Sequence, residues 1–524
     1  MESEDNKDKE SSRLRKIGNV FNTNAKKIAK GAFFIGTWPT RKLEEGLDII
    51  YGYDKDSAVN PPVNTKILSV FLTCLIISGY VVYHFMTSTD YSREVSWMAG
   101  IFTLACLLWV TEALPLFATA ILIIGLEVLL LSNPGEWKLL GFEDRESPGF
   151  TYFLEPLADP IIVLFFGGFI LAKAAVKRGV DASLAAYVLR LFGRTPAKVM
   201  LGMMLITAFF SMWMSNTATA TMMITLLVPM FAQIPNEQHF HKGLLLAVPF
   251  AANIGGMGTP IASPPNAVAI GFLNSVGISI SFPEWMMISI PLVIIMLVIT
   301  YQIIFSNYRP IKLDHIIELE KRKIDGKGRF VILIFIVTIG LWLTENLHGL
   351  PTAVVALIPA VAFTATGLLN KNDINSLEWS ILLLIAGGIA LGKGMTTTGL
   401  DQVLASLLPQ NSPYLFGILV VSTLILSTLI SNTATSNLLI PIGVSLAISI
   451  DATNTFFAKE IALGIALAAS MAMSLPVSTA PNTIAYAQGK LDTSDFASIG
   501  AIIGVIAVII IILGSYAINV ISAL

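Results

Sequence analysis

Charged residues are scarce in this sequence. Asp, Glu, Lys and Arg make up 13% of its 524 residues, whereas a soluble domain carries about 25%. The few charges are also concentrated: residues 1–66 hold 22 of them and residues 307–329 hold 11, which leaves 35 for the other 435 residues. This distribution excludes an ordinary soluble enzyme and indicates a multi-pass membrane protein.

Cysteine and histidine are also rare, and there is no excess of positive charge. Cys74 and Cys106 both lie in apolar runs, so neither a disulfide framework nor a thiolate metal site is expected. The net charge of −2 and the lack of a basic domain argue against nucleic acid as a partner. The five histidines form no metal-binding set and the sequence offers no nucleophile–base pair, so we expect no enzymatic activity.

Long apolar runs account for most of the chain. A helix needs about 20 mostly apolar residues to cross a bilayer. Runs of about this length predict eleven transmembrane helices, at 67–86, 95–111, 117–131, 160–178, 243–272, 285–306, 330–347, 351–369, 378–397, 459–488 and 493–523. Two longer runs, 199–231 and 413–446, are too long for one span and too short for two. Because each has Ser-Asn-Thr near its middle, we predict two re-entrant helical hairpins.

The distribution of Lys and Arg predicts the orientation, since these residues concentrate on the cytosolic side. Residues 1–66, with 12 Lys and Arg, are predicted to be a cytosolic tail with surface helices, and residues 307–329, with 7, a cytosolic linker. Both segments lie on the same side if the first hairpin enters from the cytosol without crossing. The second hairpin then enters from outside, and the C-terminus is extracellular.

The predicted halves, 67–306 and 330–524, contain the same motifs in the same order. Trp-Val-Thr-Glu at 109–112 resembles Trp-Leu-Thr-Glu at 342–345, and Gly-Gly at 167–168 recurs at 387–388. Ser-Asn-Thr-Ala-Thr occurs at 215–219 and 431–435, and Pro-Asn at 265–266 and 481–482, both with an offset of 216. Since the second copy starts on the other side of the membrane, the sequence predicts an inverted repeat.

The breaks within the apolar runs point to the chemistry. The first hairpin arm, about 16 residues long, reaches only about 24 Å, so its tip should stop inside the membrane. Residues 253–266 hold three glycines and three prolines and cannot be a continuous helix; residues 474–482 break the partner span likewise. If the two hairpin tips and the two breaks converge near the midplane, their four helix N-termini would surround one cavity. They can hold a small carboxylate dianion, and the unwound carbonyls can bind Na⁺.

These motifs resemble the divalent-anion/sodium symporter family, which carries dicarboxylates, citrate or sulfate. The resemblance rests on Ser-Met-Trp-Met-Ser-Asn-Thr-Ala-Thr at 211–219, on 431–435 and on the two Pro-Asn breaks, and it covers about residues 67–524. It implies an all-α homodimer in the cell membrane that works by an elevator mechanism. It also implies that the tips and breaks bind the substrate, through Ser215, Asn216, Thr217, Ser431, Asn432, Thr433, Pro265, Asn266, Thr479, Pro481 and Asn482. Any Na⁺ would be bound by Ser211, Ser215, Asn216, Gly255, Gly256, Ser427, Ser431 and Asn432.

Departures from the family's pattern bear on whether transport is coupled to Na⁺. Sodium-coupled members resemble Thr-Glu-x-Thr where this chain has Ser-Thr-Leu-Ile at 427–430, and Asn253 and Ala480 replace an expected serine and proline. Losing a carboxylate and a hydroxyl removes oxygen ligands from a candidate cation site. We therefore favour exchange of C4–C5 dicarboxylates (succinate, malate, fumarate or 2-oxoglutarate), which requires no cofactor. Na⁺-coupled symport is the close alternative, ahead of sulfate or tricarboxylate transport and, last, an anion channel.

Overall fold

The computed structural model describes residues 65–88, 90–132, 148–192, 195–233, 237–310, 324–406, 414–451 and 453–523, and the regular elements within these ranges are helices. Most of the predicted tail 1–66, much of the linker 307–329 and the loop 133–147 lie outside the described residues. The surface helices predicted for the tail therefore stay a prediction.

The helices of the first half are α1 (Thr65–Thr87), α2 (Arg93–Thr111), α3 (Leu116–Leu130), α4 (Phe150–Leu154), a 3-10 turn (Glu155–Ala158), α5 (Pro160–Lys177), α6 (Val180–Phe192), α7 (Pro196–Ser211), α8 (Asn216–Gln233), α9 (Gln238–Gly255), α10 (Pro264–Ser275) and α11 (Phe282–Asn307). Those of the second half are α12 (Gly326–Leu343), α13 (Glu345–His348), α14 (Thr352–Ala365), α15 (Lys371–Asn375), α16 (Trp379–Thr398), α17 (Leu400–Ser406), α18 (Leu415–Leu429), α19 (Asn432–Ile450), α20 (Thr455–Ser470), α21 (Ala480–Tyr486) and α22 (Thr493–Ala523).

Eight helical segments within the described residues are long and apolar enough to cross a membrane, fewer than the eleven spans predicted. Seven correspond to predicted spans, and the eighth is α19, predicted as a hairpin arm. The other four predicted spans do not form a single helix long enough to cross a membrane, for two reasons. Helices α3 and α14 have only 15 and 14 residues, which rise about 22 Å. The runs 243–272 and 459–488 are each divided into two helices. The count of eleven crossings stays a prediction.

Local chemistry explains where the helices stop. Helix α7 ends at Ser211 and α8 begins at Asn216, so the first Ser-Asn-Thr lies at a helix start. In the second copy, Ser431 caps α19 by accepting a hydrogen bond from the backbone N–H of Ala434. The gaps after α9 and α20 are closed by helices that have proline in their first turn, where proline costs no hydrogen bond.

The same helix contacts occur in both halves. Trp109 Nε1 donates to the carbonyl of Leu116, and Trp342 Nε1 donates to that of Thr352. A Cβ at Gly167 would collide with the backbone of Ala356 in α14, and one at Gly387 would collide with that of Ala120 in α3. Helix α5 therefore packs tightly on α14 and α16 on α3, so that each pair joins one half to the other.

Ion pairs also join the halves in a matched way. Lys242 in α9 lies 2.9 Å from Asp495 in α22, and Lys459 in α20 lies 2.8 Å from Glu284 in α11. Burial by itself would lower the pKa of Lys242. Hydrogen bonds from its ammonium group to Asp492 and Asp495 outweigh that effect, so the pKa is raised. Two further pairs, Lys177 with Asp373 and Lys393 with Glu155, cross between the halves as well.

The two broken elements form the centre of the fold. Residues 243–255 of α9 and 461–470 of α20 are buried without exception. Helix α10 packs against α16, α19 and α20, and α9 packs against α7, α8, α11 and α21. The breaks that follow α9 and α20 are therefore enclosed by helices from both halves.

Candidate substrate and cation site

Three oxygen atoms converge at the tip of the first hairpin. The Ser211 hydroxyl oxygen, at the end of α7, lies 2.6 Å from Asn216 Oδ1 and 2.7 Å from the Ala252 carbonyl oxygen. A serine hydroxyl has one proton, so it can donate to only one of these acceptors at a time. The other oxygen is left with the capacity to bind another group.

The second hairpin repeats this arrangement. The Ser427 hydroxyl oxygen lies 2.8 Å from Asn432 Oδ1 and 3.0 Å from the Ala469 carbonyl oxygen. In both copies, the hydroxyl comes from the first hairpin arm, the amide oxygen from the start of the second arm, and the carbonyl from the neighbouring broken element. Two sites of the same chemistry therefore lie in the two halves.

Two glycines allow the first hairpin to approach α9 this closely. A Cβ at Gly255 would collide with the backbone of Ala208 in α7, and a Cβ at Gly256 would collide with the side-chain amide of Asn216. A side chain at Gly255 would require the hairpin backbone to move, and one at Gly256 would displace the Asn216 side chain. The sequence predicted these glycines as cation-site residues, and the structure places both against the hairpin.

The Pro-Asn motifs hold the breaks in shape. Asn266 Nδ2 donates to the carbonyls of Gly256 and Thr259, at 2.9 and 2.8 Å. Asn482 Nδ2 donates to those of Met473 and Leu475, at 2.9 and 3.0 Å. Each asparagine is fully buried. Both side chains therefore satisfy carbonyls that the helix interruption would otherwise leave unpaired.

The two breaks contact each other through Asn253. Its Nδ2 lies 3.1 Å from Thr479 Oγ1 and 3.4 Å from Asn482 Oδ1. Helix α8 of the first hairpin packs against α21, and α19 of the second hairpin packs against α10, so each hairpin also meets the break of the other half. No hydrogen bond joins the two tips among the described residues; the breaks connect them.

The predicted substrate residues differ in accessibility. Ser215, Asn216, Ser431, Asn432 and Thr433 are half-buried and Thr217 is exposed. The residues of the breaks are buried instead, at Pro265, Asn266, Thr479, Pro481 and Asn482. None of these side chains is basic, so an anion would be bound by hydroxyl and amide groups and by the N–H groups at the starts of α8, α10 and α19.

Several buried polar atoms at the site have no partner within the described part of the chain. These atoms are the amide oxygens of Asn253 and Asn266 and the hydroxyls of Thr219 and Thr435. A buried polar group without a partner costs free energy, about 1–3 kcal/mol. The site therefore retains a capacity for hydrogen bonding or ion coordination that its own side chains do not use.

Comparison with known proteins identifies the family. The model of the citrate transporter (CitMHS) family matches residues 106–460, more than half of the chain. A Haemophilus influenzae protein described as an uncharacterised transporter is 32% identical over 427 residues, which cover 77% of this chain and 87% of that protein. The sodium-dependent dicarboxylate transporter SdcS of Staphylococcus saprophyticus is 30% identical over 468 residues, which cover 80% of this chain and 86% of the relative.

The chain belongs to the citrate transporter family. The resemblance to divalent-anion/sodium symporters, predicted from the motifs, is confirmed, and the relatives are transporters rather than enzymes. Among solved structures, the YdaH transporter of Alcanivorax borkumensis aligns with 80% of this chain and 98% of its own, at a TM-score of 0.49 and 13% identity. That likeness is too distant to assign the topology of this family member.

The sequence interpretation missed three contacts of this transporter. The carbonyls of Ala252 and Ala469 carry no sequence signal, because any residue supplies a carbonyl. Glu378 was also overlooked, although its Oε1 accepts a hydrogen bond from Ser215 at 2.8 Å. A usable signal existed, since Glu378 precedes the helix that contains the second Gly-Gly, much as Asp159 precedes the helix with the first.

Proposed function

We propose that this family member is a secondary active transporter of C4–C5 dicarboxylates across the cytoplasmic membrane. The observation that carries the proposal is the pair of hairpin tips, in which hydroxyl, amide and carbonyl groups recur in both halves. We assign the substrate to the two tips and the adjoining breaks, where its carboxylates can accept hydrogen bonds from Ser215, Asn216, Thr217, Ser431, Asn432 and Thr433. The SdcS relatives, whose name specifies dicarboxylates, support this substrate class.

The architecture that fits this function is an inverted repeat with halves at 67–306 and 330–524. The contacts that recur between the halves support this division, as does the interruption of the helices at the repeated motifs. We propose that 199–231 and 413–446 are re-entrant hairpins entering from the cytosol and from outside. The N-terminus is then cytosolic and the C-terminus extracellular. In this scheme the hairpins and broken elements move as one unit in an elevator-type homodimer.

For coupling, we favour exchange of one dicarboxylate for another. Asn253, which stands where a hydroxyl was expected, uses its amide N–H to bind Thr479 and Asn482 of the second break, so the expected hydroxyl oxygen is missing. The second hairpin also lacks a carboxylate at 427–430, where only Ser427 contributes to the oxygen set. Both features weaken a cation site while preserving the anion-binding groups.

Na⁺-coupled symport is the second candidate, and one observation favours it directly. At each tip an amide oxygen and a carbonyl oxygen both lie within 3.0 Å of one serine hydroxyl, a set of oxygen ligands that suits Na⁺. Ser211 and Asn216 would hold one ion beside Gly255 and Gly256, and Ser427 and Asn432 would hold another, with Ser215 and Ser431 adjacent. A bound ion would supply positive charge next to the substrate carboxylates. The sodium dependence named in the SdcS relatives points the same way.

Transport by the purified protein in liposomes tests the proposal. Labelled succinate uptake is measured with and without internal dicarboxylate, at zero and at 100 mM external Na⁺, with citrate, sulfate and phosphate as competitors. Exchange predicts uptake that depends on internal dicarboxylate and is indifferent to Na⁺. Uptake into empty liposomes driven by a Na⁺ gradient would establish symport instead, and competition only by sulfate or citrate would refute the substrate class.

A further inference from the structure

A carboxylate of the protein itself is bound at the tip of the first hairpin. The Ser215 hydroxyl donates to Glu378 Oε1 at 2.8 Å, across 163 residues of sequence. Both residues are half-buried. A hydrogen bond from a hydroxyl to an ionised carboxylate is stronger than one between neutral groups. Glu378 thus presents to Ser215 the same chemical group that a dicarboxylate substrate would present.

Glu378 is held by a well-anchored segment of the second half. Trp379, the next residue, donates from Nε1 to the carbonyl of Ile374 at 3.0 Å and packs against Phe166 of α5. Asp373 in the same segment pairs with Lys177, at the end of α5. Hydrogen bonds from the Asn370 backbone N–H and the Lys177 ammonium group lower the pKa of Asp373, which favours the ionised carboxylate that pairs with Lys177. The carboxylate that meets Ser215 is therefore fixed to α5 and α16 rather than to the hairpin.

We propose that Glu378 is a latch that holds the first hairpin against the anchored segment until substrate binds. The latch rests on the proposed dicarboxylate site: substrate must displace Glu378 to bind Ser215, and this displacement frees the hairpin to move. Without substrate, Ser215 stays bound to the anchored segment and the hairpin does not cross. A carrier that cannot return empty is an exchanger, so the latch supplies a physical basis for exchange.

The repeat predicts a counterpart for the opposite conformation. Asp159 precedes α5, whose Gly167-Gly168 match the Gly-Gly of α16, so it occupies nearly the position of Glu378 in the first half. Here the Asp159 carboxylate accepts the Ile161 N–H at 2.9 Å, and Ser431 accepts the N–H of Ala434 at 3.1 Å. Each is engaged in capping its own helix. We expect Asp159 to bind Ser431 when the hairpins have moved to the other side, with the Glu378 bond broken.

Transport measurements test the latch, because loss of a latch should increase uptake without internal substrate, whereas loss of a purely structural contact should not. In E378Q and E378A, we expect succinate uptake into liposomes without internal substrate to rise at least fivefold relative to exchange. The KM for exchange should fall by about fivefold, the size expected when one competing hydrogen bond is lost. In S215A, the uptake without internal substrate should also rise, but KM should rise as well, because the substrate loses the same donor.

D90N is the control. It removes an exposed carboxylate between α1 and α2, and it leaves Glu378, Ser215 and the anchoring pair of Asp373 with Lys177 in place. We expect its KM and its ratio of uncoupled uptake to exchange to equal those of the wild type. A wild-type ratio and KM in E378Q and E378A, or a loss of exchange with no gain in uncoupled uptake, would overturn the latch.

Cross-linking tests the latch without requiring transport. Cys74 and Cys106 are first replaced by serine, and S215C is then combined with E378C. Because the glutamate side chain sets the two Cβ atoms further apart than a disulfide allows, a short bifunctional thiol reagent is used. The link should form without substrate and slow several-fold in 10 mM succinate, and S431C with D159C should link more in succinate. Absence of the first link overturns the latch, whereas absence of succinate transport in the wild type with the link intact refutes only the substrate.

Discussion

Replacing Gly256 by alanine should weaken substrate binding by disturbing the first hairpin tip. The added Cβ would lie 2.9 Å from Asn216 Cγ, closer than real Cβ contacts occur. Carbon atoms prefer a separation of about 3.5–4.0 Å, so the Asn216 side chain must move by about 0.6–1 Å. That shift displaces an amide whose Oδ1 lies 2.6 Å from Ser211 Oγ and so disturbs the proposed binding position.

The expected loss follows from these distances. A displaced Asn216 amide no longer bonds the substrate carboxylate, and a hydrogen bond of this kind is worth about 1–3 kcal/mol. This corresponds to an increase in the KM for succinate of about 5- to 150-fold. Overpacking can itself cost about 1–3 kcal/mol of stability. Thermal unfolding of the detergent-solubilised variant is therefore measured alongside exchange in liposomes. The KM change should persist in protein that is folded and monodisperse at the assay temperature.

Gly417→Ala is the control for this prediction. Gly417 lies in an arm of the second hairpin, and a Cβ there would meet nothing closer than Ile512 Cδ1 at 3.5 Å, an ordinary contact. We expect its KM to match the wild type. If Gly256→Ala is well folded and also keeps the wild-type KM, the placement of substrate beside Asn216 is wrong.

Three further changes test other parts of the structure. Asn432→Ala removes the amide oxygen beside Ser427, and we expect at least a fivefold increase in the KM for succinate; wild-type affinity would contradict the site assignment. Asn253→Ala removes the 3.1 Å hydrogen bond that joins the two helix interruptions. It should lower the melting temperature and the maximal exchange rate and leave the KM within about twofold of the wild type. A rise in KM alone would show that Asn253 contacts substrate. Lys242→Ala removes a partly exposed ion pair between the halves. We expect the free energy of unfolding to fall by only about 0.5–1 kcal/mol, seen as a small drop in melting temperature, while transport stays at the wild-type rate. A loss of transport would contradict this expectation.

Much of this molecule could be read from local sequence because its main features are local. Too little charge for a soluble protein, apolar runs and clustered Lys and Arg predicted a multi-pass membrane protein, and the family comparison agrees. Helix interruptions were predictable for the same reason. Proline and glycine break helices wherever they occur, and serine and asparagine favour helix starts, so the gap between Gly255 and Pro264 could be anticipated.

Tertiary structure alone decided which distant groups meet. The sequence motifs predicted Ser211 and Asn216 as site residues. They could not predict the Ala252 carbonyl beside Ser211, because every residue has a backbone carbonyl. Nor did they indicate that Ser215 binds Glu378. Periodicity and composition describe one segment at a time, whereas these contacts depend on how helices from two halves pack around each other. The sequence thus determined the class of protein, the helix breaks and the polar groups available, and the packing of the helices decided which of those groups share a site.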